Sequence, residues 1–246
     1  MKISIPAGAI NAIQQARNLY VLTGAGVSDE SGIPTFRAPG SGLWSNFDPT
    51  EMATRAAFRR DPALIWGWYE WRRHQVMRAS PNAAHLAIAD LVRCGKRLTL
   101  VTQNVDDLHE RAGSTEVIHL HGSLFEPICF ACARPFTGEI PINLNLEGEL
   151  RDPPRCQHCN GRVRPGVIWF GEALPQPAAR LAFRAANDCD CLLVIGTSGE
   201  VEPAATIPDL ALKCGAIVIH VNLDVREEAK YNEFWLQGKA GRCRIT

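Results

Sequence analysis

Residues 19–26 read LYVLTGAG, a short apolar run that stops at Thr23 and gives way to Gly24 and Gly26. A run this brief and this continuously apolar suits a strand covered on both faces, as in a parallel sheet. Three more segments repeat the pattern: LTLVTQNVD at 98–106, CLLVIGTSG at 191–199 and AIVIHVNLD at 216–224. Helix-like stretches lie between them, HLAIADLVRCG at 85–95 with Gly95 as its C-cap and PAARLAFRAANDC at 177–189. Strand and helix in alternation predict an α/β fold, a Rossmann-like doubly wound parallel sheet. In such sheets ligands bind beyond the carboxyl ends of the strands, where all four runs end in polar loops.

Two segments break the alternation. Residues 38–85 are rich in aromatics and arginine and read as helical, and 123–165 carry two cysteine pairs around a Pro/Asn-rich middle. They are expected to form a smaller helical and zinc-ribbon lobe. The Rossmann-like lobe would then comprise 1–37, 86–122 and 166–246 of a single catalytic unit, 1–246. The 246 residues, 46% of them apolar, suffice for a substantial core. Lys plus Arg and Asp plus Glu balance at 26 each, so the chain lacks the charge excess that would hold nucleic acid or an anionic membrane. No segment approaches the ~20 apolar residues of a spanning helix. The first residues offer neither a signal-peptide core nor a transit segment, and a cytoplasmic enzyme is expected.

Cys129-x-x-Cys132 and Cys156-x-x-Cys159 are separated by 23 residues. Each pair can place two thiolates on one ion, and the two together complete a tetrahedral site with no open position. One structural Zn is therefore expected. Cys94, Cys189, Cys191 and Cys214 read as packing residues.

The loop after the first run, GAGVSDESGIPTFR, lets backbone approach a phosphate at Gly24 and Gly26, although glycines there also suit a tight turn. It lacks both the GxGxxG spacing and the P-loop lysine. Gln103, Asn104 and Asp106 close the second run within TQNVDDLH, where they can hydrogen-bond sugar hydroxyls or make an Asx-rich turn. His121, in HLHG, can exchange a proton near neutral pH, whereas His85, His109 and His119 read as structural.

These motifs, with VIWFGEALP, GTSGEVEPAA and VNLD, stand in the order and approximate spacing of the sirtuins, the NAD-dependent protein-lysine deacylases. The resemblance runs from about Tyr20 to Cys243. It implies a cleft between two lobes in which NAD, as co-substrate, meets an acylated lysine of a protein or peptide. Gly24, Ala25, Gly26, Ser28, Ile33, Pro34, Phe36 and Arg37 would cradle the pyrophosphate and nicotinamide side of NAD. Gln103, Asn104 and Asp106 would serve the nicotinamide ribose and pocket. Gly196, Thr197 and Ser198 would contact the phosphate and adenosine side, with Asn222, Leu223 and Cys243 about the adenosine. His121 would be the catalytic base, and Ile168, Phe170, Gly171 and Glu172 would bind substrate. The products would be lysine, nicotinamide and O-acyl-ADP-ribose. Gly199 and Glu200 depart from the bulky aliphatic that many sirtuins place after GTS, and this acidic rim would favour basic residues beside the modified lysine. No nucleic-acid or membrane partner is implied, and a monomer is expected.

WGWYEWRRHQVM at 66–77 surrounds two arginines with aromatics. On a helix Ile65, Tyr69, Arg72 and Val76 share one stripe, and Arg73, ~100° further round, does not. The Tyr69-x-x-Arg72 pair resembles the signature of class III sirtuins, in which the tyrosine and arginine face the acyl end. A guanidinium there suits acyl groups that end in a carboxylate, such as succinyl or malonyl, with acetyl also accepted. The bland alternative is an arginine lying along an apolar surface. At the level of activity the alternatives are an acetyl-preferring deacylase, mono-ADP-ribosyl transfer, or a non-catalytic scaffold.

Overall fold

The computed structural model describes residues 5–35, 48–93, 95–141, 149–225 and 229–242. In chain order the elements are α1 (Ala7–Gln15), β1 (Asn18–Thr23), α2 (Pro49–Met52), α3 (Arg55–Arg60), α4 (Pro62–Arg78), α5 (Ala83–Arg93), β2 (Arg97–Thr102), α6 (Leu108–Arg111), β3 (Val117–His119), β4 (Gly122–Cys129), β5 (Val163–Val167), α7 (Gln176–Asp188), β6 (Cys191–Ile195), α8 (Ile207–Lys213), β7 (Ile217–Asn222) and β8 (Glu233–Gln237). Short 3-10 turns at Ala25–Val27 and Asp29–Ser31 follow β1.

Six strands form one parallel sheet in the order β3-β2-β1-β6-β7-β8. Numbered along the chain within this sheet, that order is 3-2-1-4-5-6, the Rossmann arrangement. Successive side chains of a strand point to opposite faces. Accordingly Leu19, Val21, Leu100, Leu193 and Ile219 pack with α1 and α5 on one side, while Tyr20, Leu22, Val101, Leu192 and Val218 pack with α7 and α8 on the other. The four runs read from the sequence are β1, β2, β6 and β7. The sequence reading missed the two edge strands, three-residue β3 and β8. Gly95 has φ 74°, as a left-handed cap after α5 requires.

The order reverses between β1 and β6, so the chain continues to opposite faces of the sheet from these neighbours and a crevice opens beyond the strand ends. A second core closes it. Met52, Phe58, Ile65, Trp68 and Tyr69 from α2–α4 pack with Leu124 and Val167 of the antiparallel β4–β5 pair and with Trp169. Thr54 and Asp61 cap the starts of α3 and α4, their side chains accepting from Ala57 N and Leu64 N. Of the four cysteines read as packing residues, Cys189 and Cys191 are buried, but Cys214 is exposed, its thiol 3.3 Å from Asn187 Oδ1. Its place after the last turn of α8 leaves the side chain at the surface. Cys94 lies outside the described residues. Among the described residues no helix is long and apolar enough to cross a membrane.

Candidate active site

A cleft of about 540 Å³ lies at the carboxyl ends of β1, β2, β6 and β7, between the sheet and the α4/β5 side. Its walls bring together Gly24, Ala25, Gly26, Ser28, Ile33, Pro34, Tyr69, Arg72, Gln103, Asn104, Asp106, His121, Ile168, Phe170, Gly171, Glu172, Gly196, Thr197, Ser198, Asn222 and Leu223. Phe36, Arg37 and Cys243, expected in the same site, lie outside the described residues.

At one end backbone meets backbone. Gly24 N donates to Ile195 O at 3.0 Å and Gly26 N to Gly196 O at 2.8 Å. A Cβ at Gly24 would sit 2.7 Å from Thr197 Cβ, and one at Gly26 2.9 Å from Gly196 Cα, closer than carbon atoms approach. The loops after β1 and β6 cross at this separation only because both positions are glycine. The resulting floor presents main chain, rather than side chains, to whatever lies above it.

Gln103 Nε2 donates to Thr197 Oγ1 at 2.9 Å, and Asn222 Nδ2 to Thr197 O at 2.8 Å, so three strand ends are tied to one threonine. Ser28 Oγ donates to Asp106 Oδ2 at 2.9 Å and accepts from Asn104 Nδ2 at 3.1 Å. Burial raises the Asp106 carboxyl against the opposing pull of bonds from Leu108 N and Ser28. Beneath this network His85 Nε2 lies 3.4 Å from Ser28 Oγ and His109 Nε2 3.0 Å from Thr23 Oγ1. Burial pushes these imidazoles down to about 4 and about 3 respectively, so both are neutral structural groups at pH 7. His119 lies 2.7 Å from Glu110 Oε1 and is likewise engaged within the fold.

His121 Nδ1 lies 3.0 Å from the carbonyl oxygen of Gln103. A carbonyl can only accept, so Nδ1 carries the proton and Nε2 keeps its lone pair. Burial lowers the imidazole pKa, an effect the Gln103 bond partly offsets, and His121 is therefore a neutral base at pH 7.

The other end of the cleft is built on α4. Tyr69, Arg72 and Val76 reach it while Ile65 is buried below them, as the helical spacing predicts. The Arg72 guanidinium stands 5.2 Å from the Trp68 ring. Burial lowers its pKa, opposed by the nearby Tyr69 phenol and Asp106 carboxyl, and it remains a cation. Arg73 turns away and forms a bidentate pair with Glu70 at 3.0 and 2.7 Å. Along the rim, Ile168 N donates to His121 O and Phe170 N to Ala53 O, so segment 168–170 bridges the two sides. Phe170 and Glu200 are exposed, and Gly171 and Gly199 take left-handed backbone at φ 81° and 68°.

Glu172, expected to bind substrate, has its carboxylate engaged within the protein: Arg164 at 2.6 and 2.9 Å, Arg55 at 2.9 Å and Trp169 N at 2.9 Å. The sequence reading missed Trp169 and Arg164 altogether. The available signal was chemical, since a buried tryptophan N–H needs an acceptor and a buried arginine needs an anion.

Away from the cleft, the sulfurs of Cys129, Cys132, Cys156 and Cys159 all lie within 4.8 Å of one another, with Cys129–Cys159 at 3.5 Å and Cys132–Cys156 at 3.8 Å. Four thiolates ~2.3 Å from a tetrahedral zinc would stand ~3.8 Å apart. The donor set fits a closed structural Zn site.

The model of the Sir2 family matches residues 24–203. The chain belongs to the Sir2 family. A relative named NAD-dependent protein deacylase 1, from Pseudomonas aeruginosa, is 55% identical over 233 residues that cover 94% of this Sir2 chain and 93% of the relative. The crystal structure of a Sir2 homologue–NAD complex has a TM-score of 0.85 and 42% identity, covering 97% of this chain and 91% of that one. A Sir2–p53 peptide–NAD+ complex has a TM-score of 0.81 and 31% identity, covering 97% and 95%. This Sir2 cleft thus lies in a fold shared with proteins seen with NAD and with peptide.

Proposed function

We propose that this chain removes acyl groups from lysine side chains of proteins, with NAD as co-substrate, and prefers acyl groups that end in a carboxylate, succinyl and malonyl, over acetyl. The observation that carries the acyl preference is the placement of Tyr69 and Arg72 in the same cleft as His121. The glycine-floored end suits NAD, because main chain can approach a pyrophosphate only where no Cβ intervenes. We assign Gly24, Ala25, Gly26, Ser28, Ile33 and Pro34, with Gly196, Thr197 and Ser198, to the phosphates and the flanking sugars. Gln103, Asn104 and Asp106 take the nicotinamide side, and Asn222 and Leu223 the adenosine side.

When bound, NAD would supply an electrophilic ribose carbon with nicotinamide as its leaving group, and the ribose hydroxyl oxygen on which the acyl group ends. The chain's own residues hold the reactants in place and move a proton. His121 Nε2 accepts a proton from a hydroxyl in the cleft, while the Nδ1–H bond to Gln103 O keeps the ring in the tautomer that makes this possible. Ile168 and Phe170 carry the peptide on either side of Trp169, which is turned into the core, and the exposed Phe170 forms the outer edge. Arg72 and the Tyr69 hydroxyl take the acyl carboxylate, a charge-assisted contact worth about 1.5–3 kcal/mol. Glu172 acts by bracing this wall. Cys129, Cys132, Cys156 and Cys159 would hold zinc as a clasp, and thiolates kept for a metal suit the reducing cytoplasm.

The test is nicotinamide release from one peptide bearing either acetyl-lysine or succinyl-lysine, compared as kcat/KM. The expected result favours succinyl by about 10- to 150-fold. Equal or reversed preference would overturn the acyl assignment. Nicotinamide release that ignores the acyl peptide would overturn deacylation in favour of ADP-ribosyl transfer.

A further inference from the structure

The Tyr69 hydroxyl is buried at the acyl end of the cleft, and Trp169 Nε1 lies 3.0 Å from its oxygen. An indole nitrogen can only donate, whereas a phenol both donates and accepts. Trp169 therefore occupies an acceptor position of Tyr69, and the phenolic proton must point elsewhere. Tyr69 and Arg72 both line the cleft, so the open direction for that proton is the space beside the guanidinium.

Trp169 is held fast. The residue is 1% exposed, and its ring lies under the Arg164 guanidinium at 3.4 Å and packs against Phe58 with centroids 5.4 Å apart. Arg164 is pinned in turn by two bonds to Glu172, at 2.6 and 2.9 Å, and by Val167 O at 2.6 Å. Glu172 Oε2 also accepts from Trp169 N at 2.9 Å. A buried cation, its carboxylate and an indole thus form one rigid bracket, and the single polar atom the ring offers is aimed at Tyr69. Resting on the acyl preference proposed above, we infer that Trp169 is a positioning residue for acyl selection: its N–H orients the Tyr69 hydroxyl as a donor, so that Tyr69 and Arg72 both present donors to the acyl terminus.

A pocket built this way recognises an acceptor-only anion, and a carboxylate is the acyl terminus of that kind. Without the indole donor the Tyr69 rotor is free, and part of its population presents a lone pair to the carboxylate. The cost should fall on binding of acidic acyl groups and spare acetyl, whose methyl makes no polar contact with Tyr69.

The experiment is a double-mutant cycle of Trp169→Phe and Tyr69→Phe, with succinyl- and acetyl-peptides and KM and kcat determined separately. Trp169→Phe keeps an aromatic ring under Arg164 and removes the N–H. It is expected to raise the succinyl KM about tenfold with kcat little changed, and to leave both acetyl parameters within about twofold. In the Tyr69→Phe background the same change should add less than about twofold, because nothing is left to orient. Equal losses on the two substrates, or an undiminished effect in that background, would overturn the inference. A second readout does not need the tryptophan variant to fold: the Trp169 indole N–H resonance must move in Tyr69→Phe, and a resonance that stays in place also overturns the inference. A wild type that lacks succinyl preference would overturn the acyl reading as well, whereas a preference that survives Trp169→Phe would remove only this role of Trp169.

Discussion

Replacing Arg72 with methionine isolates the charge at the acyl end of the cleft. Methionine keeps an unbranched apolar stem on the helical stripe of Ile65, Tyr69 and Val76 and removes the guanidinium. The loss of a charge-assisted contact, about 1.5–3 kcal/mol, corresponds to a drop of about 10- to 150-fold in kcat/KM for a succinyl-peptide. The contact with the Trp68 ring at 5.2 Å is lost too, worth about 0.5–1 kcal/mol. Relief of a half-buried charge offsets it, so stability should change by less than about 1 kcal/mol. The KM for NAD should not move, since Arg72 stands on α4 and the glycine floor on the loops after β1 and β6. Arg72→Lys should fall between the two, because a lysine keeps the charge and loses the planar fork. The assay is steady-state nicotinamide release with matched succinyl- and acetyl-peptides and a thermal melt of each variant. Undiminished desuccinylation by Arg72→Met in a folded protein would refute the reasoning.

Metal analysis should find one zinc per chain, and Cys156→Ser should lose it with a fall in Tm of about 5 °C or more, whereas exposed Cys214→Ser should change neither; full zinc in Cys156→Ser would rule out the four-thiolate site. Stability should also respond to acid through His85 and His109. Their folded pKa values, about 4 and about 3, lie below the ~6.5 of an unfolded histidine, so the unfolded chain binds more protons in this range. Stability should therefore fall as pH drops below ~6.5, with a slope approaching ~1.4 kcal/mol per pH unit for each histidine down to about pH 4. A urea midpoint that stays level from pH 7 to pH 5 would contradict this.

The four inner strands were legible because strands covered on both faces must be apolar throughout, and the acyl stripe because helical spacing alone places Tyr69 beside Arg72 and turns Arg73 away. β3 and β8 were not: an edge strand is covered less completely, and Glu233-Phe-Trp-Leu-Gln237 mixes buried and exposed positions without a clean period. The role of Trp169 could not be read locally, since its partner Tyr69 is 100 residues away in the chain. The structural role of Glu172 was hidden as well, since one of its partners, Arg55, is 117 residues away and burial decides the other. As part of the rim loop it reads as a substrate contact, and only the packing of β5 shows that Arg164 claims its carboxylate.

The contrast between the two ends of the cleft has a consequence for how such a protein changes over generations. The floor is made where loop backbones touch at Gly24, Gly26 and Gly196, and almost any substitution there adds a Cβ with no room to occupy. The acyl end is written in side chains on a single helical face, where an exchange at one position leaves the main chain undisturbed. On the assignments proposed above, what is removed from lysine is thus open to revision by point mutation, while the seat of the molecule that receives it is locked into the scaffold.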